Sequence, residues 1–201
     1  MHIFKIAPIQ VIVVPIYSTK EERAKVEARC EEVKKTLVNA GIRCECDFRD
    51  VTPGFKFNDW ELKGVPIRIE IGPKEVESKK LTLVRRDTRE KIEINESEVV
   101  EKVNELASLL LQSLKERARK LFDSKLREAK SREDVKRLIN SGFVVKMPFC
   151  MREDCAMELK SETNGAKVRG IALNEEQTIA KDTCAWCGRE AKAIVYVAKA
   201  Y

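Results

Sequence analysis

Hydrophobic and polar positions in the first quarter of the chain follow two successive periods. Residues 10–16 (QVIVVPI) form a continuous, largely β-branched run, which is typical of a strand buried on both faces of a sheet. Apolar residues then recur at three- and four-residue steps as far as Gly41, which predicts a helix. They are Val26, Cys30, Val33, Leu37 and Val38. Residues 42–47 alternate apolar and polar side chains, so we expect a second strand, parallel to the first because a helix connects them.

Three further segments complete the predicted sheet. Residues 67–71 alternate isoleucine with Arg68 and Glu70, which predicts a strand with one exposed, polar face. Residues 81–84 and 91–94 are typical of a hairpin. The sequence therefore predicts an α/β fold with a mixed five-stranded sheet and covering helices.

A long helix and a change in composition divide the chain. The helix is predicted to begin near Asn95 or Ser97, with one apolar stripe formed by Val99, Val103, Leu106, Leu110 and Leu114. Charge then dominates, and residues 115–130 predict a solvated continuation of the helix, followed by a new N-cap at Ser131.

We accordingly predict a first domain over residues 1–112 and a linking helix with a second domain over residues 113–201. The second domain is expected to be small and of the α+β type, with short strands at residues 143–147, 167–171 and 193–198.

Composition narrows the function classes. The chain has 201 residues and a net charge of +6, and residues 113–137 hold ten basic and five acidic side chains. Such a segment is more often a solvated helix face than a phosphate clamp, although an RNA backbone would favour it. No run approaches the roughly 18 apolar residues of a membrane span, and with His2 as the only histidine a histidine-based mechanism is close to excluded. Seven cysteines, an odd number without the spacing of a secreted disulfide scaffold, favour the reducing cytoplasm.

Four cysteines near the end of the chain form two pairs. Cys150 and Cys155 are separated by four residues, Cys184 and Cys187 by two, and the pairs stand 28 residues apart. Four thiolates around one tetrahedral zinc ion form a closed site, so we interpret the metal as structural. Unrelated free thiols, an iron–sulfur cluster and a redox dithiol remain as alternatives. The other three cysteines, Cys30, Cys44 and Cys46, are expected in the core.

Residues 52–75 interleave basic, acidic and aromatic side chains. Such a surface suits single-stranded RNA: rings stack on bases, a carboxylate accepts from guanine N1–H and its 2-amino group, and Arg or Lys donates to guanine O6 and N7. For Phe55, Phe57 and Trp60 the favoured alternative is the core of a short helix. For the charged residues Glu61, Arg68, Lys74 and Glu75 the alternative is an exposed salt-bridge network.

With this segment at its centre, the sequence resembles the archaeal and eukaryotic type of prolyl-tRNA synthetase, specifically its anticodon-binding domain followed by its C-terminal zinc-binding domain. The resemblance extends over nearly the whole chain. It is carried by residues 7–16, by residues 57–73 with the run WELKGVP at 60–66, by both cysteine pairs, by Lys160-x-Glu162-Thr163 and by the final residues 198–201.

The resemblance implies the anticodon-binding fold of class II synthetases and a partner, the tRNA for proline. In this family the domain reads two adjacent anticodon guanines, and the matching positions are Glu61, Arg68, Lys74 and Glu75. The family's zinc ligands match Cys150, Cys155, Cys184 and Cys187, and its terminal tyrosine, whose carboxylate lies near the catalytic domain, matches Tyr201.

One departure from the family concerns catalysis. The family's catalytic domain, which uses ATP and Mg²⁺ and usually mediates homodimerisation, precedes this region, whereas this sequence offers no P-loop and no class II arginine motif. We therefore expect no adenylate formation by this chain alone and no catalytic residue on it. Two hypotheses follow: the tRNA-recognising portion of a proline–tRNA ligase that works with a catalytic domain, or a free-standing RNA-binding accessory or regulatory module.

Overall fold

The computed structural model describes residues 4–173 and 182–200. The chain divides into two compact units between Glu116 and Arg117, hereafter unit 1 and unit 2. The boundary predicted at residues 112 and 113 lies one turn earlier along the same helix.

Unit 1 contains the mixed five-stranded sheet that the sequence predicts. Its strands are β1 (Val11–Pro15), β2 (Cys44–Cys46), β3 (Ile67–Ile71), β4 (Lys80–Arg85) and β5 (Lys91–Asn95), in the order β2-β1-β3-β4-β5. β1 pairs in parallel with both β2 and β3, whereas β4 is antiparallel to β3 and to β5. Its helices are α1 (Lys20–Asn39), α2 (Pro53–Lys63), α3 (Pro73–Ser78) and the first part of α4 (Val99–Lys125).

The interior strand β1 is buried on both faces, as its β-branched run predicts. Val11 and Val13 belong to the larger core, which also includes the apolar stripes of α1 and α4. Ile12 and Val14 point to the opposite face, where they pack with Val65. This second, smaller core carries α2 and thereby fixes the helix that holds part of the candidate site.

α1 begins with a capping box at Thr19, and one residue of its predicted apolar stripe is not buried. The Thr19 hydroxyl accepts from the Glu22 backbone N–H, and the Glu22 carboxylate accepts from the Thr19 backbone N–H, which is a capping box. Val38, predicted to belong to the stripe, is 49% exposed because it lies in the last turn, beyond the edge of the buried face.

The predicted helix over residues 115–130 is wrong at its end. α4 stops at Lys125, and residues Leu126–Glu128 form a short strand, β6, that runs parallel to strand β7 (Val144–Phe149). The physical reason is that buried Ala129 joins the hydrophobic core of unit 2, and its N–H donates to the Lys146 carbonyl. A charge pattern alone does not report this pairing.

Unit 2 is a four-stranded sheet with two helices. β7 (Val144–Phe149), β8 (Lys167–Gly170) and β9 (Ala193–Ala198) confirm the three predicted strands within two residues, and the order is β6-β7-β9-β8. α5 (Arg132–Asn140) begins after the predicted N-cap, where the Ser131 hydroxyl accepts from the Asp134 N–H. α6 (Glu153–Glu162) has no counterpart in the sequence prediction. Within the described ranges, no helix is both long and apolar enough to cross a bilayer.

Candidate metal centre and nucleic-acid interface

The four paired cysteines of unit 2 converge on one point. All four Sγ atoms lie within 4.8 Å of one another, with 3.9 Å between Cys155 and Cys184 and 3.7 Å between Cys187 and Cys150. A tetrahedral zinc ion with Zn–S bonds of about 2.3 Å places its sulfurs roughly 3.8 Å apart. The arrangement therefore fits a single thiolate-bound ion.

The same distances bear on the alternatives. Disulfide bonding requires sulfurs about 2 Å apart, so neither pair is cross-linked. A four-iron cluster binds each thiolate to a different iron and spreads its ligands farther apart than these four sulfurs lie. With four cysteines and no other ligand type, the site is closed and suits a structural ion, which would stabilise the fold rather than activate water.

Two similar backbone turns present one cysteine from each pair. In residues 150–152 and 187–189 a cysteine is followed by a residue at positive φ, Met151 at 59° and Gly188 at 72°, and then by an arginine. The backbone N–H of that arginine donates to the cysteine sulfur in both turns. Amide donors of this kind stabilise thiolates, which is how outer-shell groups tune a metal site.

Asp154 joins these two turns. Its Oδ1 accepts from Arg152 Nε at 3.0 Å and its Oδ2 from Arg189 Nη1 at 3.1 Å, and these two arginines hold the pKa of Asp154 well below its usual range. Our sequence analysis missed this residue. The signal was available in the repeated Cys-x-Arg pattern of Cys150 to Arg152 and Cys187 to Arg189, which indicates two equivalent turns.

The protonation states of the cysteines couple metal binding to pH. Burial raises the pKa of Cys150 and Cys155, so without a metal these thiols keep their protons at neutral pH. For Cys187, burial is outweighed by the Arg189 N–H and the neighbouring thiols, and its pKa falls. Binding of a divalent ion would release the remaining protons.

We predict opposite effects for substitutions in the two equivalent turns. Met151→Gly should leave stability unchanged or raise it by up to about 1 kcal/mol, because a side chain in the left-handed region is strained. Gly188→Ala should destabilise unit 2 by about 1 kcal/mol, because it puts a side chain on a left-handed backbone. Nothing lies within 4 Å of the added Cβ, so no steric clash adds to this cost. Hydrogen exchange of residues 182–200 in the metal-loaded chain measures both. Equal destabilisation by both variants would contradict this interpretation.

In unit 1, two of the predicted RNA-reading residues are in contact. Glu61 lies in the last turn of α2 and Arg68 on β3, with 3.3 Å between Glu61 Oε1 and Arg68 Nη1. Arg68 also donates to Glu70 Oε1 from Nε and Nη2, at 3.0 and 2.9 Å, and its guanidinium lies over the Phe57 ring at 3.9 Å from the centroid. The side chains of Glu61 and Arg68 are 21% and 11% exposed.

The pair belongs to a longer run of alternating charges, which we call the charge row: Arg89, Glu61, Arg68, Glu70 and Lys91. The two outer cations bind the second oxygen of each carboxylate: Arg89 Nη2 lies 3.0 Å from Glu61 Oε2, and Lys91 Nζ lies 2.8 Å from Glu70 Oε2. Sequence analysis did not identify Arg89 or Lys91, which follow β4 across the hairpin.

Lys74 and Glu75 lie beyond the other end of β3, in α3. Lys74 is exposed, while the Glu75 carboxylate accepts from the Gly72 N–H at 3.0 Å and from the Thr82 hydroxyl at 3.5 Å. Among the described residues, no hydrogen bond or ion pair joins either side chain to Glu61 or Arg68. The structure thus brings together two of the four predicted residues and places the other two at the opposite end of the strand.

The aromatic segment is a helix, and two of its three rings belong to the core. Phe57 and Trp60 pack against the smaller core of unit 1. The prediction is wrong for Phe55, which is 56% exposed because it lies in the first turn of α2, away from the sheet. Trp60 Nε1 donates to Asp47 Oδ2 at 2.7 Å, and this bond links α2 to the end of β2.

Comparison with known proteins agrees with this geometry. Residues 10–106 match the family model described as the anticodon binding domain, and residues 132–201 match the one described as the C-terminal domain of prolyl-tRNA synthetase. The proline–tRNA ligase of Thermofilum pendens is 45% identical over 197 residues. Those of Thermococcus kodakarensis and Ignicoccus hospitalis are 41% and 38% identical over 199 residues. Each alignment covers 98% of this chain, and the chain spans 41% of the length of each relative.

Unit 1 therefore carries an anticodon-binding domain of the aminoacyl-tRNA synthetase type. More particularly, the chain belongs to the prolyl-tRNA synthetase family and comprises the anticodon-binding and C-terminal domains of that family.

Proposed function

We propose that this chain recognises the anticodon of the tRNA for proline on behalf of a proline–tRNA ligase. The observation that carries the proposal is the contact between Glu61 and Arg68, held at the surface of an anticodon-binding domain by α2 and β3. A carboxylate beside a guanidinium offers an acceptor and a pair of donors, which together complement the N1–H, 2-amino and O6 groups of guanine.

Each charged residue has a distinct role in this proposal. Glu61 accepts from the N1–H and 2-amino groups of one guanine, and Arg68 donates to O6 or N7. Lys74, which is exposed, donates to the second guanine, with Glu75 beside it on α3. Because the free protein already pairs Glu61 and Arg68 with each other and with Arg89 and Glu70, RNA binding exchanges some of these internal contacts for contacts to the bases.

The ligase reaction itself is assigned to a catalytic domain that would bind ATP, Mg²⁺ and proline. We propose that this chain is inactive alone and acts as part of the enzyme, whose homodimer forms through that catalytic domain. The four-cysteine site would hold a structural zinc ion in unit 2. We place the protein in the cytoplasm, where reducing conditions keep thiolates available, and its seven cysteines are unpaired.

Replacement of Arg68 tests the assignment. We expect Arg68→Ala to weaken binding of an RNA hairpin that carries the two adjacent guanines by about ten-fold or more, because one good base contact is worth about 1 to 3 kcal/mol. The variant should bind hairpins with adenine at those positions as the wild type does. Fluorescence anisotropy of labelled hairpins measures both affinities.

The matched control is Lys35→Ala, an exposed cation on α1. It should lower affinity little and equally for every hairpin. If Arg68→Ala lost the same factor on guanine and adenine hairpins, Arg68 would contact only the backbone. The chain could discriminate guanine from adenine hairpins and yet have no effect on proline attachment when a catalytic domain is supplied. That result would favour an accessory RNA-binding module.

A further inference from the structure

Arg86 is a half-buried arginine with two buried guanidinium nitrogens and no carboxylate partner among the described residues. It follows β4, and its backbone N–H donates to the Pro66 carbonyl at 3.0 Å. Its Nη1 donates to the backbone carbonyl of Glu61 at 3.2 Å. The other two guanidinium nitrogens, Nε and Nη2, are buried and have no hydrogen-bond partner among the described residues.

The neighbouring arginine shows what an ordinary structural arginine does at this position. Arg85 Nε and Nη2 bind the two oxygens of Asp87, at 3.1 and 2.7 Å, and this carboxylate satisfies the buried charge. Arg86 has no such partner. The hydrogen bond that its side chain does make to the described residues goes to the Glu61 carbonyl, so the function of this side chain is to be sought at the end of α2.

The surroundings of Arg86 indicate what that function is. A cavity of about 10 Å³, room for about one water molecule, lies between its side chain and those of Trp60, Glu61, Val65 and Arg68. Both members of the candidate reading pair therefore border the same cavity as the guanidinium of Arg86. Glu61 belongs to the last turn of α2, whose carbonyls carry partial negative charge, and a cation is favourable there.

Arg86 binds the backbone carbonyl of Glu61 and not its carboxylate. The Glu61 carbonyl also accepts from the Gly64 N–H at 3.1 Å, so Arg86 reinforces the turn that ends α2. The Glu61 carboxylate itself pairs with Arg68 and Arg89. A small rotation of this turn would move the carboxylate out of reach of Arg68.

We propose that Arg86 is a positioning residue for base reading. It anchors the backbone of Glu61 and so holds the Glu61–Arg68 pair in the geometry that the guanine edges require. This inference rests on the proposed function, because it assigns Arg86 a role in the selectivity of that same site. Arg86 itself contacts no base.

The test is the ratio of affinities for hairpins with guanine and with adenine at the two anticodon positions. Arg86→Met keeps the apolar stem and removes the donors, and we expect the ratio to fall by about ten-fold, the value of one lost base contact. Arg86→Lys keeps the charge with a single donor group, so its ratio should lie between those of the methionine variant and the wild type.

A double-mutant cycle separates positioning from general stability. If Arg86 acts through Glu61, Arg86→Met should change the ratio by less than about two-fold in a Glu61→Gln background, because the effects of coupled residues do not add. Hydrogen exchange at Gly64 and Val65 should accelerate in Arg86→Met, since their N–H groups bond the carbonyls of the last α2 turn.

Two results would overturn the inference: an unchanged ratio in both Arg86 variants, or a full additional loss in the Glu61→Gln background. Should Arg86→Met fail to fold, the lysine variant decides by the same two criteria. A wild-type chain that does not discriminate guanine from adenine would instead refute the proposed function, so the two failures are distinguishable.

Discussion

Removal of metal from the full chain should unfold unit 2 and leave the sheet of unit 1 intact. The buried core of unit 2 includes all three buried cysteines of the site together with Trp186 and Phe149, so the metal ligands and the apolar core are one structure. Structural zinc sites of this type contribute about 10 to 16 kcal/mol of binding free energy, most of which is folding free energy. Without the ion, four thiols remain clustered with no bond to hold them.

The measurement is hydrogen exchange followed by mass spectrometry, with and without a chelator, because it reports each unit separately. Cys155→Ser should reproduce the effect of chelation and abolish stoichiometric metal binding. The matched control is Cys46→Ser in unit 1, a half-buried cysteine that should leave the metal content unchanged. Loss of exchange protection in β1 and β3 on chelation would show that the two units do not fold independently.

Replacement of Asp47 should markedly lower the free energy of unfolding of unit 1. Its side chain is 1% exposed, and its carboxylate accepts from Arg49 Nε at 2.9 Å, Arg49 Nη2 at 2.7 Å and Trp60 Nε1 at 2.7 Å. Its carbonyl accepts from the buried Lys56 Nζ at 3.0 Å. Asp47→Ala keeps the carbonyl that binds Lys56 but removes the carboxylate that binds Arg49 and Trp60. Arg49 is 44% exposed and can turn to water, so the main cost, about 1 to 3 kcal/mol, comes from the Trp60 N–H left without its acceptor.

The Asp47 contribution should also depend on pH. Burial raises the pKa of Asp47, but the hydrogen bonds from Arg49 and Trp60 outweigh it and lower the pKa to about 2, below the ordinary value of 3.8. A carboxylate with a depressed folded-state pKa stabilises the protein above its unfolded-state pKa and loses that contribution as the pH falls. The difference in unfolding free energy between wild type and Asp47→Asn should therefore shrink from pH 4 to about pH 2.

Urea unfolding at a series of pH values, followed by circular dichroism, tests this expectation. Asp50→Ala, an exposed neighbour, serves as control and should change stability by less than about 0.5 kcal/mol. A constant difference between wild type and Asp47→Asn down to pH 2 would mean that the ionised form of Asp47 has no special stabilisation.

Much of unit 1 is predictable because its strands and helices bury complete faces. The unbroken run over β1 reports burial on both sides, and the alternation at residues 67–71 reports which face of β3 is polar. The prediction that this polar face is exposed is wrong: Glu70 is 5% exposed, because Arg68 and Lys91 pair with its carboxylate. Unit 2 is less predictable. β6 has three residues and α6 has only two buried ones, so neither shows an apolar periodicity long enough to be recognised among the surrounding charged residues.

The candidate site divides in the same way. Residues close in sequence, such as Glu61 and Arg68, belong to one motif and were identified together. Arg86, Arg89 and Lys91 join them only because β4 pairs with β3 in a fixed register, Arg85 opposite Ile67. Asp154 requires the two cysteine turns to meet across 35 residues. Contacts of this kind depend on register and closure, which spacing along the chain does not encode.

The charge row has a consequence for how RNA binding would respond to ionic strength. In the charge row, three cations already pair with two carboxylates before RNA arrives, and a base edge that replaces one of these partners is itself neutral. Such an exchange releases few counterions, whereas each phosphate neutralised by a lysine or arginine elsewhere releases close to one. Added salt would thus weaken binding to the RNA backbone and leave the selectivity for guanine over adenine nearly unchanged.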